Sequence, residues 1–200
     1  MANPWGLYQR QPAFVLGFHG TDKRVVSDIV QRKIAHLNKS EDTTEWLGHG
    51  VYFWENDPER ALDWARNGKT KGKVTSPDAV GAIIDLGFCL DLTTMSGLAE
   101  VTEAYEILRH SYLAEGLDLP KNTVGHDKVK RELDCAVIQA LHGYRLDKRL
   151  KPYDSVRAPF PEKAPLYDQS GFRARNHIQI CVISPENCIK GYFRPIKISS

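Results

Sequence analysis

Cysteine is scarce in this chain, and what there is lies loosely spaced. Cys89, Cys135, Cys181 and Cys188 are far apart except for the last pair, so the compact disulfide framework of a small secreted domain is excluded and a reduced, intracellular protein is expected. Long apolar runs are missing as well. No stretch approaches membrane-spanning length. The opening Met1-Ala2-Asn3-Pro4-Trp5 is not a basic region followed by an apolar run, so the expectation is a cytoplasmic protein with no membrane partner. A dominant charge is absent too: the formal net charge is +2, and whole-chain electrostatics therefore say little about partners. Internal repeats and low-complexity segments do not occur. What is present, 42% hydrophobic and 26% charged residues in a chain of 200, is ordinary for a globular protein and enough for one domain with its own core.

The richest stretch is Trp46-Leu47-Gly48-His49-Gly50-Val51-Tyr52-Phe53-Trp54, followed by Glu55-Asn56-Asp57-Pro58. Gly48 and Gly50 let the backbone turn sharply or approach a ligand closely. Val51 to Trp54 suits a short strand, with Tyr52 and Trp54 on one face and Val51 and Phe53 on the other. Asp57 as N-cap and Pro58 as first residue start a helix, in which Ala61, Trp64 and Ala65 share a face. Tyr52 and Trp64 can then form two walls of a flat slot. The competing reading makes these aromatics core.

Taken in order, residues 1 to 12 read as an extended lead-in. Ala13 to Phe18 is a buried strand delivering the polar turn His19-Gly20-Thr21-Asp22. Asp22 caps a helix whose apolar stripe is Val25, Val26, Ile29 and Val30. Residues 34 to 47 read as loop, and Gly68 to Pro77 as a basic, solvated link. Ala79 to Leu92 is a strand or a pair of strands broken at Gly87. Leu98 to Leu113 is an amphipathic helix with Leu98, Val101, Tyr105, Leu108 and Tyr112 in its stripe. Leu117 to Lys130 reads as loop. A second helix over Glu132 to Tyr144 packs on the first. Arg145 to Arg175 carries Pro152, Pro159, Pro161 and Pro165 among basic and aromatic residues. It reads as a long structured loop, whose basic and aromatic interleaving suits single-stranded nucleic acid. Asn176 to Ile183 is a strand with Ile178, Ile180 and Val182 on one face and His177, Gln179 and Cys181 on the other. Pro185 to Cys188 makes a turn, and Ile189 to Ile198 closes the sheet.

Three stretches together, His19-Gly20-Thr21, Gly48-His49-Gly50-Val51-Tyr52-Phe53 and the late strand bearing Gln179, resemble the catalytic domain of the poly(ADP-ribose) polymerase family, the histidine–tyrosine–glutamate branch of the ADP-ribosyltransferases. The resemblance covers residues 13 to 92 and 174 to 194, about half the chain. It implies an α+β fold in a single domain over 1–200: a split, mostly antiparallel sheet with flanking helices, gripping NAD, with residues 93 to 173 as a helical and loop insertion. By the same resemblance His19 hydrogen-bonds the adenine-side ribose of NAD, and Gly20 offers its backbone to the nicotinamide carboxamide. Tyr52 stacks on the nicotinamide ring, and Trp64 or Trp54 forms the opposite wall. Thr21 and Gly50, within the same motifs, join the cofactor-binding set.

The third motif departs from the family, because Gln179 stands where the glutamate is expected. A glutamine can hydrogen-bond a ribose hydroxyl but can neither balance a developing positive charge nor act as a base. Mono-ADP-ribosyl transfer is therefore expected over polymer formation, with His19, Tyr52 and Gln179 as the catalytic set. His49, Glu45, Asp22 and His177 are candidates for the missing base. The acceptor is a macromolecule, nucleic acid somewhat ahead of protein. The family association also suggests a bacterial or phage effector or toxin, with an antitoxin or inhibitor protein as partner. Two rival expectations stand beside this: a non-catalytic NAD- or ADP-ribose-binding module, and an NAD-dependent RNA 2'-phosphotransferase, which the tyrosine at position 52 disfavours. A metal site from His177, Cys181 and Cys188 has neither a usual zinc spacing nor a fourth ligand.

Overall fold

Alternate residues along Val51–Glu55 and Arg173–Val182 turn to opposite sheet faces, and both faces are covered: Val51, Phe53, Ile180 and Val182 enter one core, Tyr52 and Cys181 another. The computed structural model describes residues 14–68, 74–124 and 130–196. β1 (Val15–Asp22) leads into α1 (Lys23–Val30), and β2 (Val51–Glu55) into α2 (Pro58–Asn67). β3 (Pro77–Ile84) and β4 (Cys89–Asp91) precede α3 (Met95–Ala114). The short pair β5 (Asn122–Thr123) and β6 (Lys130–Arg131) introduces α4 (Glu132–Asp147). β7 (Ser155–Pro165), β8 (Arg173–Val182), the single turn α5 (Pro185–Cys188) and β9 (Ile189–Phe193) complete the chain.

Seven strands form one sheet in the order β4-β7-β8-β2-β1-β3-β9. Its neighbours are antiparallel except β4 and β7, which run parallel. The α+β expectation thus holds at the level of a mostly antiparallel sheet with flanking helices. On one face Val51, Phe53, Val80, Ile84, Ile180 and Val182 pack with Val26 and Ile29 of α1. Each such side chain contributes about 1.5–3 kcal/mol when fully buried. On the other face Val156, Ala158, Phe160 and Cys181 meet Val137, Ile138 and Leu141 of α4, while Phe18, Trp54 and Ala79 meet Ala61 of α2. Asp22 and Asp57 cap α1 and α2, accepting from the backbone N–H of Arg24 and Arg60. None of the helices in the described residues is long and apolar enough to cross a membrane.

Gly87, at φ +61, separates β3 from β4 as the sequence suggests. The lead-in of residues 1–12 and the basic centre of the 68–77 link, residues 69–73, lie outside the described residues. Toward the end of that link Thr75 and Ser76 are tied to the Asp22 carboxylate. β1 does not stop at a polar turn: His19, Gly20 and Thr21 continue the strand, paired with Val80, Ala79 and Asp78. In α3, Leu98 is exposed rather than part of the buried stripe, and the fully buried positions are Gly97 and Ala104.

The larger correction concerns Arg145 to Arg175, which is not a long loop. Its first residues finish α4, and β7 then pairs along nearly its whole length with β8. Val156, Ala158, Phe160 and Glu162 are buried, whereas Pro159, Pro161 and Lys163 are exposed. The prolines fit because they share one edge of the strand. Leu92 N–H donates to the Arg157 carbonyl at 2.8 Å, so residue 157 turns its backbone toward β4. Residues 159 and 161 then turn the same way, beyond the end of β4, where no ladder donor is needed.

The sheet is continuous, yet one seam in it is short. β1 and β2 pair only at Gly17 with Glu55 and Phe18 with Trp54, whereas β1 and β3 stay paired from Val15 to Asp22. Past Phe18 the halves β4-β7-β8-β2 and β1-β3-β9 diverge.

Candidate functional site

The opening begins where β1 and β2 part, and its first bridge is a side chain. His19 Nδ1 lies 2.8 Å from the Tyr52 backbone oxygen. That oxygen can only accept, so Nδ1 carries the proton and Nε2 is left as an acceptor. Burial pushes the His19 pKa below its ordinary 6.5, against the raising effect of this hydrogen bond, so the ring is neutral at pH 7.

Tyr52 is fixed at its far end. Its hydroxyl accepts from Leu47 N–H at 2.9 Å and donates to the Gly48 carbonyl at 2.7 Å. The loop between α1 and β2 presents these groups through a chain of tight turns, with Glu45 N–H donating to the Asp42 carbonyl and Gly48 N–H to the Glu45 carbonyl. Gly48 sits at φ +79, where a Cβ would also strike Gln139 and Ile138 of α4, so glycine is required. Gly50 then exchanges two backbone hydrogen bonds with Ser40. Burial holds the Tyr52 phenol well above its usual pKa, with a smaller contribution from the nearby Cys181 and Glu45. It acts as a neutral fixed ring.

Trp54 and Trp64 stand 5.6 Å apart at 49°. Trp54 is buried against Phe18 and Ala61, and Trp64 is packed at its margin. Arg60 lies 5.5 and 6.0 Å from the two ring centroids. Its guanidinium pairs with Glu162 at 3.0 Å and Asp63 at 3.2 Å. Asp63 also takes Arg175, and the Asn67 amide and these guanidiniums hold its carboxyl below the ordinary value. Gln179 is the direct cross-strand neighbour of Trp54. Its side chain is 9% exposed, and among the described residues its amide has no hydrogen-bond partner.

These groups line one cavity of about 660 Å³, within the size range of small-molecule sites. Of the residues expected from sequence, His19, Gly50, Tyr52, Trp64 and Gln179 line it, as does Trp54. Gly20 and Thr21 do not. Gly20 is enclosed beneath α2, where a Cβ would overlap the Ala61 carbonyl oxygen. Among the candidate bases only Glu45 reaches the cavity. Asp22 is consumed by capping and by Thr75. His49 lies outside the lining, and His177 lines a smaller hollow of about 270 Å³ beside Asp57 and Arg175.

Trp46, Arg60 and Glu162 also line the cavity, and sequence reasoning did not assign them there. Trp46 makes an edge contact with Phe160 and lies under the Arg131 guanidinium at 4.6 Å. Glu162 had a legible signal, the alternation from Val156, which the prolines obscured. Cys181 and Cys188 sit in different cores, and among the described residues no group of His, Cys, Asp and Glu is arranged to hold a metal. Comparison with models of known families, with curated proteins and with solved structures found no match for the chain.

Proposed function

We propose that this cavity binds NAD and that the chain is a mono-ADP-ribosyltransferase acting on a macromolecular acceptor. The observation that carries the reading is the convergence of His19, Tyr52, Trp64 and Gln179, from three distant stretches, on one cavity, with the Gln179 amide left without a hydrogen-bond partner among the described residues. The Tyr52 ring forms the immobile wall for nicotinamide, and Trp64, less enclosed than Trp54, forms the other. Neutral His19 accepts a ribose hydroxyl at Nε2, and the Gln179 amide takes a hydroxyl of the nicotinamide ribose. The bond between the ribose anomeric carbon and the nicotinamide nitrogen breaks, the electron pair leaving with neutral nicotinamide. An acceptor oxygen or nitrogen attacks the same carbon and gives up its proton. Holding the cofactor bent and the acceptor in line is the main catalytic task.

The acceptor favoured is single-stranded nucleic acid. Leu166, Tyr167 and Phe172 stand 59%, 63% and 61% exposed at the β7–β8 tip, beside Arg173. Lys163 and Arg175, at the base of that hairpin, line the cavity. Exposed rings for stacking and cations for phosphates, continuous with the reacting site, suit such a strand. The rival reading, a module that binds NAD without turning it over, is supported by the absence of a carboxylate at position 179.

NAD labelled on its adenine half, incubated with the protein and cell extract, separates these readings. Nicotinamide release with label that nuclease removes is the expected result. Label removed by protease makes the acceptor a protein, and NAD binding without release leaves the non-catalytic module.

A further inference from the structure

Val156, Ala158 and Phe160 turn one face of β7 into a core, and the next residue on that face is a carboxylate. Glu162 is 8% exposed. Arg60 donates to its Oε2 at 3.0 Å, and among the described residues Oε1 has no hydrogen-bond partner, although Glu162 lines the main cavity. A buried carboxylate oxygen is costly unless something donates to it.

The neighbours of Glu162 limit what that something is. Arg175 is its direct cross-strand partner, which sets the two Cβ atoms about 5 Å apart, and it lines the same cavity. Arg175 gives one guanidinium nitrogen to Asp63 at 3.2 Å. A guanidinium carries five N–H donors, so donors remain beside the open carboxylate oxygen. Gln179 pairs with Ala158, four residues before Glu162, and at a rise of about 3.3 Å per residue those steps make about 13 Å. Glu162 thus stands away from the ribose anchor, at the base of the hairpin whose tip exposes Tyr167 and Phe172.

We propose that Glu162, with Arg175, reads an unpaired guanine in the acceptor strand; this rests on the function proposed above and on nucleic acid as its acceptor. A carboxylate only accepts, and Oε2 keeps lone-pair capacity beside Arg60. Guanine is the base whose pairing edge offers two adjacent N–H donors, at N1 and N2, with the O6 carbonyl next to them. The two donors meet the Glu162 carboxylate, and O6 accepts from Arg175. Adenine and cytosine set a ring acceptor beside their amine, and uracil and thymine flank one N–H with two carbonyls, so each turns a lone pair toward the carboxylate. The edge has to be free of its complement, so the strand is single. The contact selects the strand and takes no part in breaking or forming the glycosidic bond.

The test uses two sets of 12-mers, one of deoxyribose and one of ribose, free of guanine except where a single central position carries guanine, hypoxanthine, adenine or cytosine. Affinity is read by fluorescence anisotropy without NAD, and transfer by label from the adenine half of NAD. In at least one set the guanine strand should bind about 5- to 150-fold more tightly than the adenine and cytosine strands, the discrimination usual for one bidentate pair, and should take label preferentially. Hypoxanthine, which keeps N1–H and O6 but lacks the N2 amine, should fall between. Annealing a complement to the guanine strand should abolish its advantage. In Glu162→Gln the amide still accepts from Arg60 but also donates, and the guanine preference should be lost. Equal affinity for all four strands in both sets overturns the assignment, as does a folded Glu162→Gln that keeps the preference; if that variant does not fold, the base series on the wild-type protein decides alone. Nicotinamide release without strand discrimination leaves the transferase standing without this contact. Guanine-selective binding with no nicotinamide release in any arm overturns the proposed function and leaves the contact.

Discussion

A phenol that both accepts and donates to the backbone of one turn cannot rotate its ring away from that turn. Tyr52 is such a residue, and its ring is also the loop's main tether to the sheet. Tyr52→Phe keeps the ring and leaves Leu47 N–H and the Gly48 carbonyl without that partner, so stability should fall by about 1–3 kcal/mol, read from denaturant unfolding. Under the proposed function NAD affinity should weaken with it, because the ring that walls the slot is no longer held to the loop. Tyr52 and Gln179 were legible in sequence because a period of two decides which way a strand residue faces. For Glu162 the alternation from Val156 was there but hidden by the prolines, and for Arg60 no local signal existed, because its pairing with Glu162 joins α2 to β7; Trp54 and Trp64 could be ranked only after the packing of α2 was seen.

At the scale of elements, strands and helices with clean periodicity or clear caps were readable: β2, β8, α1 and α2 follow from alternation, Asp22 and Asp57. β7 was missed because prolines argue against a central strand, and only the position of its neighbour β4 shows that their missing N–H groups fall on an uncovered edge. α3 was overread, since much of its apolar surface stays exposed. One clamp ties the missed strand to its surroundings. Arg157 makes paired hydrogen bonds to Glu55 at 2.6 and 3.0 Å and reaches Asp91 at 3.2 Å, joining the ends of β2 and β4 to β7. Removing it leaves two largely buried carboxylates facing each other, and Arg157→Ala should cost about 3–5 kcal/mol in equilibrium urea unfolding. An additional loss of the parallel β4–β7 edge should appear as faster amide exchange at Leu90 and Leu92.

For the whole molecule, acidification should act through buried histidines first. Burial, with Arg145 and His49 nearby, lowers the His142 pKa to about 4, and His19 is lowered too. An unfolded chain binds protons at these rings from pH 6.5 downward while the folded one resists, so stability rises with pH across that window and falls as pH drops from 6.5 toward 4. Asp22 adds a lower step: its hydrogen bonds hold its pKa at about 2, and that contribution is lost as pH falls from 3.8 through 2. Thermal midpoints measured against pH should show the first decline, and His142→Gln should flatten it. The overall arrangement was legible only as a class, because β2 beside β8 and β3 beside β9 are pairings between distant segments.

The short seam between β1 and β2 has one more consequence, in the language of peptide ladders. Asn56 N–H donates to the Leu16 carbonyl, so alternation turns the backbone of Leu16, Phe18 and Gly20 toward β2, which has already left at Gly20. The ladder therefore ends one rung short at a residue that stands outside the cavity lining, and α2 closes over it so tightly that a Cβ would overlap the Ala61 carbonyl oxygen: the place where the sheet runs out is one that only glycine can occupy.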